Sequence, residues 1–403
     1  MKKKVKKMGK IICPFCFEEI KPQNIEFRCS NVTKKIDGSF VCGLEPDEKL
    51  AVYRGLTIPI PQRKVFSKKL FSFGIPKEAV CPDCKTTSRD RICSCCHNLL
   101  PNYYGETDNF MLAVIGAKET GKSHYIAVLI DYIINILTES FLFSASAAND
   151  ETSRRYKEDF KRSIYEEHVI IPATQAASVN RSVREPLIYE LKFHDEKTRL
   201  KKTVTVAFFD TAGEDLNAED TMSVVNRYIF NASGIIMLLD PLQLEGVRNN
   251  LPDGTPLPDV NTEIETIIAR TSRLIRKAKG MKANDKISIP LAVAFTKIDA
   301  IMPLLSPGSL IKTQGNHYNL GMFDVIDCKN VSDEMEALIN QWAGHGFLAQ
   351  VESNFSTYSY FGLSALGCNP QESKKIDKVI PLRVEDPFLW LLWKHKLIKG
   401  TTK

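Results

Sequence analysis

Residues 109–123 read NFMLAVIGAKETGKS, an apolar run that breaks into a loop bounded by glycines and ending in Gly-Lys-Ser. The run Phe110, Met111, Leu112, Ala113, Val114, Ile115 has no polar side chain, the pattern of a strand buried on both faces of a parallel sheet. Gly116, Ala117, Lys118, Glu119, Thr120, Gly121, Lys122 and Ser123 fit G-x-x-x-x-G-K-[ST] without a mismatch. A triphosphate has to be wrapped by backbone N–H groups at a helix N-terminus, here opening at His124, and only glycine lets the main chain approach that closely. Lys122 is then placed for the β and γ phosphates and the Ser123 hydroxyl for Mg²⁺.

Outward from this loop, strand and helix patterns alternate. Residues 124–140 form a helix pattern that is apolar on most sides, and 141–171 read as a long, charged, partly helical insertion. Residues 185–195 and 201–210 read as two strands around the turn at 196–198. The continuous runs 234–240 (GIIMLLD) and 290–295 (PLAVAF) are expected as central parallel strands. A helix with a basic end over 261–279, a helix over 333–355, a last strand over 358–363 and a closing helix over 387–398 complete the series. The expected fold class is α/β, a doubly wound, mostly parallel sheet over residues 105–403.

Three further strand ends carry pocket chemistry. The strand ending at Asp210 runs into Thr211-Ala212-Gly213-Glu214; a carboxylate there supplies a second Mg²⁺ contact, and the Gly213 N–H can sense the γ phosphate. Thr296-Lys297-Ile298-Asp299 follows PLAVAF. The Asp299 carboxylate can accept from both N1–H and the exocyclic amine of guanine, a donor pair that adenine lacks, and Lys297 can lay its stem over the ring. Ser364-Ala365-Leu366 follows the last strand and offers the Ala365 N–H to guanine O6.

Singly these strings are weak, but their order decides. Phosphate loop, DxxG, [NT]KxD and SA[KL], each after an apolar strand, resemble the GTPases of the TRAFAC clade, and DTAGE resembles its Ras-like branch. The resemblance implies GTP at the strand carboxyl ends, Mg²⁺ held by Ser123, Asp210 and a first-switch threonine, and catalysis by Lys122, Thr174, Gly213 and Glu214. Thr174 is the best-placed switch threonine, against the alternative of an ordinary loop residue. Arg181 and Arg184 follow it, as surface residues or as an internal arginine finger. Segments 141–184 and 211–225 are the expected switches. Two positions depart from the family pattern. Thr296 replaces the usual asparagine, which weakens guanine affinity. Glu214 replaces the glutamine that orients water, so slow or partner-dependent hydrolysis is expected.

The 403 residues are 43% apolar and 25% charged, the composition of a globular protein. The net charge of +6 equals the six lysines of residues 1–10, so the remaining chain is nearly balanced and does not read as a general nucleic-acid binder. That basic tail can contact phosphate backbones or anionic lipid, or simply aid solubility. Residues 125–137, the greasiest region, are too short and too polar to span a bilayer, and no signal peptide is expected.

Nine of the eleven cysteines lie between Cys13 and Cys96. Without an export signal this clustering points to metal in a reducing, cytoplasmic setting. Two zinc sites are expected, Cys13, Cys16, Cys29 and Cys42 in a module over 11–45, and Cys81, Cys84, Cys93 and Cys96 in a ribbon over 81–101. Residues 46–80 read as an irregular or short β linker. Cys95 and His97 are surplus, either spare residues or substitutes for a neighbouring ligand. Four protein ligands per site leave no open position, so structural zinc is expected.

Cysteine knuckles ahead of such a domain are similar to the zinc-ribbon double-GTPase proteins of bacterial conflict and anti-phage operons. That resemblance implies a bacterial cytoplasmic protein with a protein partner encoded nearby. The alternatives are a zinc-scaffold adaptor that seldom hydrolyses its nucleotide, an ATPase on the same phosphate loop, and a nucleic-acid-binding ribbon.

Overall fold

A computed structural model describes residues 11–68, 75–102, 104, 108–172, 185–194, 201–210, 224–260, 264–368, 370 and 374–401. The chain divides into two compact units, Met1–Asn109 and Phe110–Lys403.

The larger unit is organised by a seven-stranded sheet. Its strands are β1 (Asp108–Gly116), β2 (Phe143–Ala147), β3 (Leu187–His194), β4 (Lys201–Asp210), β5 (Gly234–Leu239), β6 (Leu291–Phe295) and β7 (Tyr358–Gly362), in the spatial order β2-β3-β4-β1-β5-β6-β7. Strands β1, β5, β6 and β7 are parallel neighbours. On the other side β3 runs antiparallel to both β2 and β4. Every residue of β5 and β6 is buried, which is why both read as unbroken apolar runs. The class is the expected one, α/β with a mostly parallel central sheet.

Helices cover the sheet. In α1 (Lys122–Tyr132) all residues from Tyr125 to Ile130 are buried. They join the apolar side chains of β1, β3 and β4 and those of the closing helix in one core. The 141–171 insertion contributes β2, paired to β3 from Phe143↔Phe193 to Ala147↔Tyr189. It then forms α2 (Asp150–Arg155), whose N-cap Asn149 accepts from the Thr152 N–H at 2.7 Å, and a π-helical stretch Tyr156–Glu166. Longer helices beyond it are α3 (Val224–Phe230) and α4 (Ile264–Lys279). The single helix expected over 333–355 is two, α5 (Val325–Ala343) and α6 (His345–Asn354), divided at Gly344 with φ 77°. The chain closes with α7 (Asp386–Lys394).

In the smaller unit a three-stranded sheet pairs Glu26–Arg28 with both Val65–Ser67 and Arg91–Ile92. It therefore draws one strand from each of the three stretches expected separately, 11–45, 46–80 and 81–101. Within the expected linker lies a helix, Glu48–Arg54. Asp47 accepts from the Leu50 N–H at 3.0 Å at its start, and Gly55 closes it in the left-handed region. The basic tail, 1–10, falls outside the described residues. Among those described, no helix is long and apolar enough to cross a membrane.

Candidate nucleotide site and cysteine centres

β1 delivers the phosphate loop and α1 receives it. A Cβ on Gly116 would stand 2.5 Å from the Leu238 carbonyl oxygen and 2.8 Å from Thr120 Oγ1, so no side chain fits there. Gly121 turns the chain into α1 with φ 84°, the left-handed geometry that favours glycine. Thr120 Oγ1 donates to the Ala117 carbonyl at 3.0 Å and holds the loop curled. Lys122 is buried, and its ammonium donates to the carbonyls of Gly116 and Ala117 at 3.1 and 2.7 Å. The loop Gly116–Ala117–Lys118–Glu119–Thr120–Gly121–Lys122–Ser123 thus has a cation under its crown.

The sheet register brings the other motifs to the same edge. Gly116 pairs with Leu238, Leu238 with Ala294 and Ala294 with Phe361, in one row across β1, β5, β6 and β7. At about 4.8 Å per strand, the row places the end of β6 about 10 Å from the phosphate loop. TKID leaves β6 at this edge, and SAL leaves β7 beside it. Their side chains meet: Ser364 Oγ donates to the Asp299 carboxylate and accepts from the Gly367 N–H at 2.9 Å. Burial pushes the Asp299 pKa up, against the Ser364 bond and the Lys297 charge. Thr296 is buried, its hydroxyl donating to the Leu239 carbonyl at 3.2 Å, and Leu366 is buried while Ala365 is half-buried.

Two contacts had no counterpart in the sequence reading. Lys297 pairs with the buried Asp240 carboxylate at 2.5 Å, which holds its stem beside the β5 end. Asp240 ends the GIIMLLD run just as Asp210 ends its strand, and that parallel was the available signal. The second contact is at His124, whose Nε2 accepts from the Ile171 N–H at 3.0 Å. Asp210 closes β4, but its side chain lies outside the described residues, as do Thr174, Arg181, Arg184, Gly213 and Glu214.

The eight expected cysteines form two sets, with exchanged partners. Cys13, Cys16, Cys93 and Cys96 make one, and Cys29, Cys42, Cys81 and Cys84 the other. The grouping of Cys13 and Cys16 with Cys29 and Cys42, and of Cys81 and Cys84 with Cys93 and Cys96, is therefore replaced. The cause is the three-stranded sheet: pairing Glu26 with Ile92 carries the last knuckle back to the first. Each of the three knuckles folds alike. The N–H groups of Phe17, Lys85 and His97 donate to the carbonyls of Cys13, Cys81 and Cys93 at 3.0, 3.1 and 2.9 Å. Any two knuckles are thus geometrically equivalent, and spacing alone does not choose among them.

Sulfur separations of 3.7 Å (Cys13–Cys96), 3.8 Å (Cys16–Cys93), 3.5 Å (Cys29–Cys84) and 3.7 Å (Cys42–Cys81) exclude disulfide bonding at these pairs. A tetrahedron with metal–sulfur bonds of 2.3 Å has edges of about 3.8 Å, so both sets are compatible with Zn²⁺. Backbone N–H groups of Phe15, Asn31 and Cys95 point at the Cys13, Cys29 and Cys93 sulfurs at 3.3–3.5 Å, an arrangement that would stabilise metal-bound thiolates. Cys95 is exposed and stands outside both sets. His97 lies between the Asp47 carboxylate at 2.7 Å and that of Glu26 at 3.1 Å, so its ring is committed to a polar network. Arg28 joins that network through Asp47 at 2.7 Å.

Comparison with known proteins adds three likenesses. A Mycolicibacterium smegmatis protein named "Putative ESX-1 scaffolding and assembly protein SaeC" is 27% identical over 317 residues, 74% of this chain and 78% of that one. Two solved structures are also similar, at 14% identity. Methanosarcina barkeri Roco2 RocCORdC bound to GDP has a TM-score of 0.27, with 72% of this chain and 50% of that one covered. The S. cerevisiae Ski7 GTPase-like domain bound to GTP has a TM-score of 0.30, with 73% and 52% covered. This chain spans about half the length of each solved chain. The family model Double-GTPase 2 matches residues 110–380, well over half of the sequence and nearly the whole of the larger unit. With residues 116–123, TKID and SAL on one sheet edge inside that match, the larger unit is a GTP-binding domain, and the chain belongs to the Double-GTPase 2 family.

Proposed function

We propose that this chain is a GTP-binding switch that hydrolyses GTP to GDP and phosphate with Mg²⁺, slowly or under partner activation. Its cysteine unit would hold two structural zinc ions and present a surface to a protein partner. One observation carries the nucleotide part: Gly116, Ala294 and Phe361 share a row, and Asp299 and Ser364 meet next to it. A nucleotide laid along that row would have its phosphates in the loop and its base at Asp299.

In this reading Lys122 exchanges its two carbonyl partners for the β and γ phosphates, which offer full negative charge. Ser123 and Asp210, with Thr174, would hold Mg²⁺, which neutralises charge as the phosphoryl group transfers. The Gly213 N–H would report the γ phosphate, and Glu214 would take the proton of the attacking water. A carboxylate there accepts but does not donate to the γ phosphate, which is the reason to expect slow turnover. The nucleotide domain would run over residues 105–403 behind the cysteine-bearing segments, and reduced cysteines suit a cytoplasmic protein.

A second reading is favoured by one comparison, the naming of the mycobacterial relative as a scaffolding and assembly protein. Under it the nucleotide is held and seldom hydrolysed. One set of assays separates the readings. Binding of GDP, ADP and XDP by the whole chain should favour GDP, and Asp299→Asn should move the preference toward XDP. Phosphate release from GTP should exceed that of Lys122→Ala; a rate equal to that control assigns the chain to the scaffold reading. Unchanged guanine binding by Asp299→Asn overturns the base assignment.

A further inference from the structure

The stretch 168–171 makes hydrogen bonds on two sides. On one side the Ile171 N–H donates to His124 Nε2 at 3.0 Å, one residue past the phosphate loop. On the other, Ile170 N–H donates to the Lys374 carbonyl at 3.0 Å, Ile376 N–H donates to the His168 carbonyl at 2.8 Å, and Val169 bridges Lys375. Residues 374–376 then lead within a few positions to a second pairing. The Leu382 N–H and Ser364 carbonyl bond at 2.9 Å, the Ser364 N–H and Leu382 carbonyl at 3.0 Å, and Ile380 N–H donates to the Leu366 carbonyl at 2.9 Å. Ser364 is the residue that holds Asp299. Ile171 and Ile376 are both buried in the main core, so the connection is packed as well as hydrogen-bonded.

We infer that His124 is a positioning residue that couples the phosphate-binding helix to the guanine-recognition loop through this relay. The inference rests on the guanine reading of Asp299 and Ser364. For Nε2 to accept from Ile171, the ring proton must sit on Nδ1 and the ring must be neutral. A histidine that only filled space would, when removed, weaken all nucleotides alike. One that anchors the relay affects the base loop more than the phosphates, because the segment it releases is paired to the loop carrying Ser364.

The test is the affinity ratio of GDP to ADP, measured by calorimetry on the full chain. His124→Ala should lower that ratio about tenfold while ADP affinity changes about twofold. His124→Asn, too short to reach Ile171, should do the same, and serves if the alanine variant folds poorly. His124→Gln places an acceptor oxygen where Nε2 stood and should return the ratio to within about twofold of wild type. A discriminating wild type whose ratio survives both the Ala and Asn substitutions overturns the inference alone. A wild type that does not discriminate GDP from ADP overturns the guanine reading and the inference with it.

Discussion

Glu385 is fully buried, and both its carboxylate oxygens lack a hydrogen-bond partner among the described residues. The Tyr318 hydroxyl nearby falls outside hydrogen-bond geometry. Its neighbour Asp386 is served fully, by Arg383 at 2.8 Å and His317 at 3.2 Å. Arg383 also reaches Asp327 at 2.8 Å, so the cluster of His317, Asp327 and Asp386 has its countercharge from a guanidinium. Burial, then the charge of Asp386, push the Glu385 pKa up from 4.5 to about 7. The folded state therefore holds a proton that the unfolded state releases. Stability from this group is complete below about pH 4.5 and is lost as pH rises through about 7. Glu385→Gln should remove that dependence. Between pH 5 and 8 the wild type should lose stability relative to the variant, by on the order of 3 kcal/mol at most, in urea titrations at each pH. The motif residues were legible because chemistry demands their types at fixed spacing. Glu385 was not, since Glu-Asp-Pro before an apolar helix reads as an exposed helix start.

Between elements, the Tyr228 hydroxyl does the work of a ladder rung. From α3 it accepts from the N–H groups of Val114 in β1 at 3.0 Å and Phe209 in β4 at 3.2 Å, and donates to the Leu112 carbonyl. It thereby spans the strand that feeds the phosphate loop and the strand that ends at Asp210. Tyr228→Phe keeps the ring but takes this acceptor from the buried Val114 N–H, which should cost about 1–3 kcal/mol in the urea midpoint analysis. A loss under about 0.5 kcal/mol would show that this group finds another partner. The strands flanking this site were readable because full burial leaves an unbroken apolar run. The breaks were harder: α5 and α6 share one hydrophobic period, and only Gly344 separates them. The helix Glu48–Arg54 was missed although Asp47 and Gly55 are its cap signals, because seven residues are too few to display a period. β2 hides in FSASA, where small residues alternate without strong hydropathy.

At the scale of the chain, the sequence showed that these eight cysteines would cluster in fours and did not show which would join which. Three equivalent knuckles and two lone cysteines permit several groupings, and a sheet contact distant in sequence selects one. Metal content should report that choice directly. Cys16→Ser should remove one of two zinc equivalents, and Cys16→Ser with Cys93→Ser should still remove only one. Cys16→Ser with Cys29→Ser should remove both, as read by inductively coupled plasma mass spectrometry on purified protein. Had the ligands grouped by sequence proximity, the two double substitutions would give the opposite counts.

The exchange of partners also bears on biosynthesis. A nascent chain that has displayed Cys13, Cys16, Cys29 and Cys42 holds only halves of two centres, because each set waits for residues beyond position 80. The missing halves, Cys81 with Cys84 and Cys93 with Cys96, emerge from the ribosome within about a second or three of each other at roughly 5–20 residues per second. If both sets take up metal, neither can be filled much before the other, and the amino-terminal unit should then acquire both ions in a single burst once Cys96 has emerged.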